Sequence, residues 1–129
     1  ATRPPLRSAD AVLLDLPCTG TGTLARNPDA RWRLTPERVA ALADVQARML
    51  DAAAPIVRPG GLLVYSTCTL EPEENEERVR AFLTDHPDYV VETTGAAPDD
   101  VVTTTGRLSV TPHEHGFDGA FAARLRRAA

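Results

Sequence analysis

Two short apolar runs, each followed by a cysteine, constrain the fold of this chain more than any other feature. Residues 11–14 (Ala-Val-Leu-Leu) precede Cys18, and residues 62–65 (Leu-Leu-Val-Tyr) precede Cys68. Each run is typical of a buried strand, the first with both faces covered, and the segment between them is long enough for one helix. This order predicts a β-α-β unit with parallel strands. Both thiols then lie at the same edge of the sheet, where open α/β folds bind ligands, and this favours thiol chemistry over packing.

The segment between the two runs contains a well-marked helix. Thr35-Pro36-Glu37 offers a capping hydroxyl, a proline at the first helical position and an acidic residue in the first turn. Residues 39–53 then follow helical spacing, with Gln46 as the polar exception, and Pro55 is expected to end the helix. Residues 16–34 precede it as a long loop, of a length that is usually functional or disordered.

A second helix is expected after the second cysteine. Pro59-Gly60-Gly61 should turn the chain into the strand at 62–66, and the helix should start near Pro72 and stop at His86-Pro87. Its first turns carry five glutamates, which are Glu71, Glu73, Glu74, Glu76 and Glu77. We interpret them as a solvated acidic helix face, because negative charge is favourable at a helix N-terminus.

The remainder of the chain predicts short strands. These cover 89–93, 107–111 and 120–125, and residues 94–106 are expected to form a loop. The last strand alternates apolar residues on one face, which predicts that one side of it is buried.

The composition is that of one ordinary domain of 129 residues. The net charge of −4 and the sequence pI of about 5.3 argue against a nucleic-acid module that is held mainly by bulk charge. Arginines nevertheless cluster at 26–38 and at 124–127, which leaves a local basic surface open. Because the sequence shows neither an apolar run of ~20 residues nor a signal-peptide pattern, we expect a cytoplasmic location and reduced cysteines.

The paired thiols fit one specific kind of carbon chemistry. A thiolate adds to electron-poor carbon far better than a hydroxyl does, and C6 of a pyrimidine is such a carbon. Addition there makes C5 nucleophilic, so that C5 can take a methyl group from a sulfonium donor before the C5 proton and the thiol are lost. The route needs one thiol nucleophile, and it benefits from a carboxylate and from a second group that helps to release the product. Cys68, Asp15 and Cys18 could supply these three parts.

Several segments also match one known family. Residues 15–22 (Asp-Leu-Pro-Cys-Thr-Gly-Thr-Gly) closely resemble the Asp-x-Pro-Cys-Ser-Gly-Thr-Gly motif of the Sun/Fmu-type RNA cytosine-C5 methyltransferases that act on small-subunit ribosomal RNA. Residues 27–32 are similar to the Asn-Pro-Asp-x-x-Trp stretch that follows it, and residues 59–76 resemble the segment around the second cysteine of the family. Residues 115–121 resemble its final His-Gly-x-Asp-Gly-Phe-Phe segment, although Ala120 stands where the family usually has phenylalanine.

The resemblance implies roles for individual residues. In the family, the cysteine of the Thr-Cys motif is the covalent nucleophile, here Cys68, and the cysteine of the Pro-Cys motif, here Cys18, assists release of the methylated RNA. Asp15 would contact S-adenosylmethionine beside the target base, with Pro17 next to it in the cofactor site. The implied fold class is α/β, namely the carboxyl-terminal part of a Rossmann-like S-adenosylmethionine-dependent methyltransferase sheet. Its strands are parallel except for an antiparallel last strand, which suits 120–125.

The resemblance also implies contacts with RNA. The candidate RNA-binding residues are Arg26, Arg31, Arg33, His115 and Asp118. The arginines of the loop would meet phosphates or simply be solvated, and Trp32 could stack on a base, brace the loop or anchor the loop on the core.

Family members carry a Gly-rich cofactor loop and an acidic ribose-binding residue upstream of the first cysteine strand. We therefore interpret residues 1–9 as a connector and residues 10–127 as a partial catalytic domain that lacks this cofactor-binding half. The chain alone is expected to be inactive, and a non-catalytic RNA-binding or scaffold fragment is the alternative function. The strand at 10–15 would present a bare apolar edge, which predicts self-association.

Other uses of these residues fit the sequence less well. A cysteine-dependent phosphatase needs Cys-x5-Arg, but the position six residues after Cys18 is Leu24 and the one after Cys68 is Glu74. A zinc site could use His113 and His115 with a cysteine or carboxylate, but the Cys-x2-Cys pair of structural zinc sites is missing from the sequence. We therefore expect that the site contains no metal.

Overall fold

The computed structural model describes residues 7–24, 26–93, 102–103, 106–116 and 118–129. The side chains of Ala30, His113 and His115 also lie outside the described part. Most of the predicted connector at 1–9 and of the predicted loop at 94–106 falls outside these ranges.

The strands form one mixed sheet. They are β1 (Ala9–Asp15), β2 (Val57–Thr67), β3 (Tyr89–Val91), β4 (Leu108–Val110) and β5 (Ala120–Arg127). Their order is β1-β2-β5-β3, and β4 also pairs with β5. The parallel pairing of β1 with β2 confirms the predicted β-α-β unit, and β5 is antiparallel to each of its neighbours, as predicted for the last strand.

The described helices are α1 (Ala30–Arg33), α2 (Pro36–Ala53), α3 (Glu76–Asp85) and α4 (Pro112–His115), with a 3-10 turn at Thr21–Thr23. α2 begins as predicted, because the Thr35 hydroxyl accepts a hydrogen bond from the backbone amide of Arg38 at 3.1 Å. It ends at Ala53, shortly before Pro55. Of the described helices, none has the length and apolar character that crossing a bilayer requires.

The core lies between one face of the sheet and the helices α2 and α3. Leu63 of β2 and Leu125 of β5 are completely buried there, and α2 contributes Leu50 while α3 contributes Val79. Burying each such side chain stabilises the fold by about 1.5–3 kcal/mol. The alternating burial along β5 confirms the one-sided packing predicted for it.

The prediction that β1 is buried on both faces was wrong. Val12 and Leu14 pack partly against the core, but Leu13 on the opposite face is 69% exposed. The reason is that β1 is an edge strand in the described sheet, and α2 and α3 pack on the other face of the sheet.

The second strand is longer than predicted. β2 runs through Pro59-Gly60-Gly61 rather than starting after it, and the pairing with β1 shifts register there, from Ala9 opposite Val57 to Ala11 opposite Leu62. This irregularity requires glycine, because Gly60 has a φ of +80° and a Cβ on Gly61 would lie 2.7 Å from the carbonyl oxygen of Asp10.

The second helix starts later than predicted, at Glu76 rather than near Pro72. Residues 72–75 form turns that two side chains hold in place, since the Asn75 amide donates to the Thr69 carbonyl at 2.8 Å and Thr67 donates to Asn75 Oδ1 at 2.5 Å. Glu74 in these turns is completely buried, so the prediction of a solvated acidic face was wrong for this residue.

Candidate active site

The two cysteines converge at one edge of the sheet. The register of β1 and β2 places Asp15 opposite Ser66. Cys18 lies three residues after the end of β1, and Cys68 directly follows the end of β2. The Sγ atoms of Cys18 and Cys68 lie 3.3 Å apart, and both thiols are free. The convergence predicted from the parallel strands is therefore confirmed.

The environments of the two thiols differ. Cys68 is exposed, whereas Cys18 is partly buried, and burial together with the hydrogen bond to the Cys68 side chain raises the pKa of Cys18 to about 12. Cys18 therefore keeps its proton at neutral pH and can donate it toward the Cys68 sulfur. Since the thiolate is the reactive form of cysteine, this arrangement favours Cys68 as the nucleophile.

A buried polar cluster lies beneath the thiols. The carboxylate of Glu74 accepts hydrogen bonds from the backbone amide and the hydroxyl of Thr19, at 2.8 and 2.6 Å. It also accepts from the Thr69 hydroxyl at 2.7 Å and from the Gln46 amide at 3.2 Å. Thr19 directly follows Cys18 and Thr69 directly follows Cys68, so that this cluster contacts both cysteine loops.

Three loops meet tightly at Gly22. Its backbone amide donates to the carbonyl of Cys68 at 2.9 Å, and its carbonyl accepts from the amide of Gly119 at 2.6 Å. A Cβ on Gly22 would lie 2.6 Å from the carbonyl oxygens of both partners, so the space admits only glycine. The segments that contain Cys18, Cys68 and Asp118 are therefore packed against one another.

The predicted cofactor contacts lie at the same edge. Asp15 is the last residue of β1 and its side chain is exposed. Pro17 is exposed as well, and its carbonyl accepts a hydrogen bond from the Gln46 side chain at 2.8 Å, which ties the loop to α2. An exposed carboxylate in this position has the charge that attracts a sulfonium group, so Asp15 fits a residue that would hold S-adenosylmethionine.

The predicted RNA contacts fall into two groups. Arg26 forms an ion pair with Asp118, so these two candidates neutralise each other. Arg33 lies instead beside the thiols, where a cleft of about 150 Å³ is lined by Cys18, Thr19, Arg33, Leu34 and Arg38.

Arg31 stacks on its neighbour Trp32, with the guanidinium 4.9 Å from the ring centroid. Trp32 is 76% exposed, so the interpretation of this residue as an anchor on the core was wrong. The backbone of His115 lies in α4, but its side chain is outside the described part.

Sequence reasoning missed the side chains that hold the loops. Gln46 was visible as a polar interruption on the apolar face of α2, and that signal could have indicated a buried hydrogen-bonding role. Glu74 gave no such signal, because it is one of five glutamates in a short acidic segment. Its burial depends on the turns at 72–75, which local sequence patterns did not reveal.

Comparison with known proteins identifies relatives over almost the whole chain. The family model described as 16S rRNA methyltransferase RsmB/F matches residues 3–126. The probable ribosomal RNA small subunit methyltransferase B of Synechocystis sp. is 48% identical over 129 residues, and the match covers 98% of this chain and 29% of that protein.

Two solved structures have the same fold. The crystal structure of PH0851 superposes with a TM-score of 0.87 at 38% identity, and the match covers 95% of this chain and 27% of that one. NSun6 from Pyrococcus horikoshii with SFG gives a TM-score of 0.81 at 32% identity, and the match covers 95% of this chain and 31% of that one. The chain thus spans less than a third of each of these relatives. The match of the family model, the sequence identity and the shared α/β architecture confirm the resemblance inferred from the motifs: the chain belongs to the 16S rRNA methyltransferase RsmB/F family.

Proposed function

We propose that the intact protein transfers a methyl group from S-adenosylmethionine to C5 of a cytosine in ribosomal RNA through a covalent bond between Cys68 and C6. The observation that carries this proposal is the 3.3 Å contact between one exposed and one partly buried thiol at the edge of a parallel strand pair. The names of the relatives, which include a ribosomal RNA small subunit methyltransferase B, support the RNA substrate and methyl transfer. The two thiols support C5 of a pyrimidine as the acceptor, because C5 becomes nucleophilic only after addition at C6, and the resemblance of the cysteine motifs supports cytosine.

The chemistry divides between the two thiols. The Cys68 thiolate attacks C6 and forms a sulfur–carbon bond, and the electron pair of the C5–C6 double bond moves toward C5 and the ring carbonyl. S-adenosylmethionine, when bound, supplies the methyl group that C5 takes up. A base then removes the C5 proton, the C5–C6 double bond re-forms, and the Cys68 sulfur leaves as a thiolate.

Cys18 acts on the release of the product. Its raised pKa keeps the proton on its sulfur, 3.3 Å from Cys68, where the thiol can donate a hydrogen bond that stabilises the departing thiolate. In this assignment Cys68 is the nucleophile and Cys18 assists release of the product through the contact between the two sulfur atoms.

Charge around the cleft suits an RNA backbone. Arg33 and Arg38 line the cleft beside Cys18 and can pair with phosphates, while the exposed ring of Trp32 can stack on a base. Asp15 is the residue of this chain that would hold the sulfonium group of the cofactor. We also propose a cytoplasmic location, because that is where the ribosomal RNA substrate is found.

The proposal is tested by incubating the intact protein with S-adenosylmethionine labelled in its methyl group and with small-subunit ribosomal RNA. Label is expected in 5-methylcytidine after digestion of the RNA, and Cys68→Ala is expected to lower the rate by at least about 100-fold. Asp44→Ala is the matched surface control, since Asp44 forms an exposed pair with Arg48 and its loss should leave the rate unchanged. Label in another nucleotide, or transfer by Cys68→Ala at the wild-type rate, would overturn the proposal.

A further inference from the structure

We propose that Glu74 is a positioning residue for the two cysteines, because its buried carboxylate connects the loop of Cys18 to the loop of Cys68. The consequence for methyl transfer rests on the proposed function, whereas the positioning itself does not.

The hydrogen-bonding capacity of this carboxylate is filled. One oxygen accepts from the Thr19 amide at 2.8 Å and from the Gln46 amide at 3.2 Å. The other accepts from the hydroxyls of Thr19 at 2.6 Å and of Thr69 at 2.7 Å. An ionised carboxylate accepts about four hydrogen bonds and donates none, so four donors match it in number and direction.

The direction of the surrounding protons is consistent with this role. Thr69 donates its hydroxyl proton to Glu74 and accepts hydrogen bonds from the Thr21 hydroxyl at 3.1 Å and from the Glu71 amide at 3.2 Å. Gln46 uses both protons of its amide group, one on Glu74 and one on the Pro17 carbonyl. The whole network is therefore oriented around the carboxylate of Glu74.

Because Glu74 is buried, the loss of its hydrogen bonds would destabilise the folded protein. Glu74 is 0% exposed, and a buried polar group that loses its hydrogen-bond partners destabilises the fold, the more so when it is charged. The three segments that donate to it are therefore held against one another. Since Thr19 and Thr69 are each one peptide bond from a cysteine, displacement of either loop also separates the sulfur atoms.

The backbone around Glu74 is itself fixed. The Tyr65 hydroxyl donates to the Glu74 carbonyl, and Tyr65 lies near the C-terminal end of β2 with no exposed surface. The carboxylate is thus attached to the rigid sheet at one end and to the two cysteine loops at the other.

The distance between the sulfur atoms can be tested without any methyl transfer. Diamide oxidises two thiols to one disulfide while it is reduced to its hydrazine, and the rate depends on how closely the thiols are held. Trypsin places Cys18 in peptide 8–26 and Cys68 in peptide 49–78, because it cleaves after arginine except before proline. The intact protein is therefore treated with diamide and digested with trypsin, and mass spectrometry of the linked peptides measures the Cys18–Cys68 disulfide directly.

Glu74→Ala is expected to slow this disulfide by at least about tenfold, because it removes every hydrogen bond of the carboxylate. Glu74→Gln is expected to restore a rate close to that of the wild type. Its carbonyl oxygen can accept from the two amides, and its NH₂ group can donate to the two threonine hydroxyls, which rotate to accept.

A separate variant distinguishes positioning from stability. Val79→Ala removes methyl groups from a completely buried side chain of α3 and should lower the urea midpoint of unfolding while leaving the carboxylate network intact. We expect the disulfide to form in this variant at the wild-type rate. Equal slowing by Val79→Ala and Glu74→Ala, or no rescue by Glu74→Gln, would overturn the proposal.

Thr19 supplies the test if Glu74→Ala does not fold. Thr19→Val loses the hydroxyl that donates to Glu74 and should slow the disulfide, whereas Thr19→Ser keeps the hydroxyl and should not. Equal rates in the two variants would contradict the proposal. If the wild-type protein transfers no methyl group but these rates differ as expected, the proposed function fails and the positioning role stands.

Discussion

The backbone amide of Gly119 donates a hydrogen bond to the carbonyl of Gly22 at 2.6 Å, which joins the loop after the first cysteine to the segment before β5. Gly22 also donates to the Cys68 carbonyl at 2.9 Å, so that one residue contacts both of the other loops of the site. The site thus depends on backbone packing as well as on the chemistry of its side chains.

Gly22→Ala is expected to lower the free energy of unfolding by about 1–3 kcal/mol and to separate the two thiols, because a Cβ would lie 2.6 Å from two carbonyl oxygens. Urea denaturation and diamide oxidation measure these two effects. Gly60→Ala is the control for a loss of stability without a steric clash. Its φ of +80° makes alanine destabilising, but a Cβ at this position would have no other atom within 4 Å. Wild-type disulfide formation in Gly22→Ala would contradict this prediction.

Cys68 is expected to react with iodoacetamide at least about tenfold faster than Cys18 at about pH 8. The pKa of Cys18 is raised to about 12, so its thiol stays protonated at about pH 8, and Cys18 is also partly buried whereas Cys68 is exposed to the reagent. Peptide mass spectrometry of briefly labelled protein measures the ratio. In urea the burial is lost, and the two cysteines should label at similar rates.

Cys68→Ala is expected to prevent a covalent RNA adduct, whereas Cys18→Ala is expected to let the adduct accumulate. The first variant lacks the nucleophile, and the second lacks the proton donor beside the leaving sulfur. Denaturing gels of the intact protein incubated with RNA and S-adenosylmethionine detect the adduct. The reverse pattern would show that the two roles are exchanged.

Tyr65→Phe is expected to destabilise the fold by about 1–2 kcal/mol, because it leaves the buried carbonyl of Glu74 without the tyrosine hydroxyl. Burial raises the pKa of Tyr65, so that its hydroxyl keeps its proton and remains a donor at neutral pH. Urea denaturation measures the loss. Tyr89→Phe is the matched control. Tyr89 is also buried and donates to a backbone carbonyl, that of Ala54 at 2.7 Å, so its loss of stability in urea should be similar.

The 129-residue chain by itself is expected to self-associate through β1. This strand is at the edge of the described sheet, and Leu13 on it is 69% exposed. Light scattering at increasing concentration measures the association, and Leu13→Lys should reduce it. A monomer at all concentrations would contradict the prediction.

The sequence predicted the parts of the fold that depend on local patterns. The cap at Thr35, the parallel pair β1 and β2 and the alternation along β5 follow from residue types and short spacings, and the structure confirms each of them. The convergence of Cys18 and Cys68 followed from the parallel direction of the two strands in the β-α-β unit.

The parts that the sequence did not predict depend on contacts between distant segments. Gln46, Glu74 and Thr19 come from three different elements, and their shared hydrogen bonds exist only after the loops are packed. The exposure of Leu13 likewise depends on which face α2 and α3 cover, and an apolar run alone does not contain that information.

The position of β5 has a consequence for biosynthesis. It is the last of the described strands to leave the ribosome, yet it lies between β2 and β3 and also pairs with β4. Until residues 120–127 emerge, β2 lacks its neighbour on one side, and the nascent chain exposes the apolar surface that β5 later covers. Closure of this sheet therefore has to wait until all five described strands have been synthesised, and nascent chains that end before β5 should require chaperones.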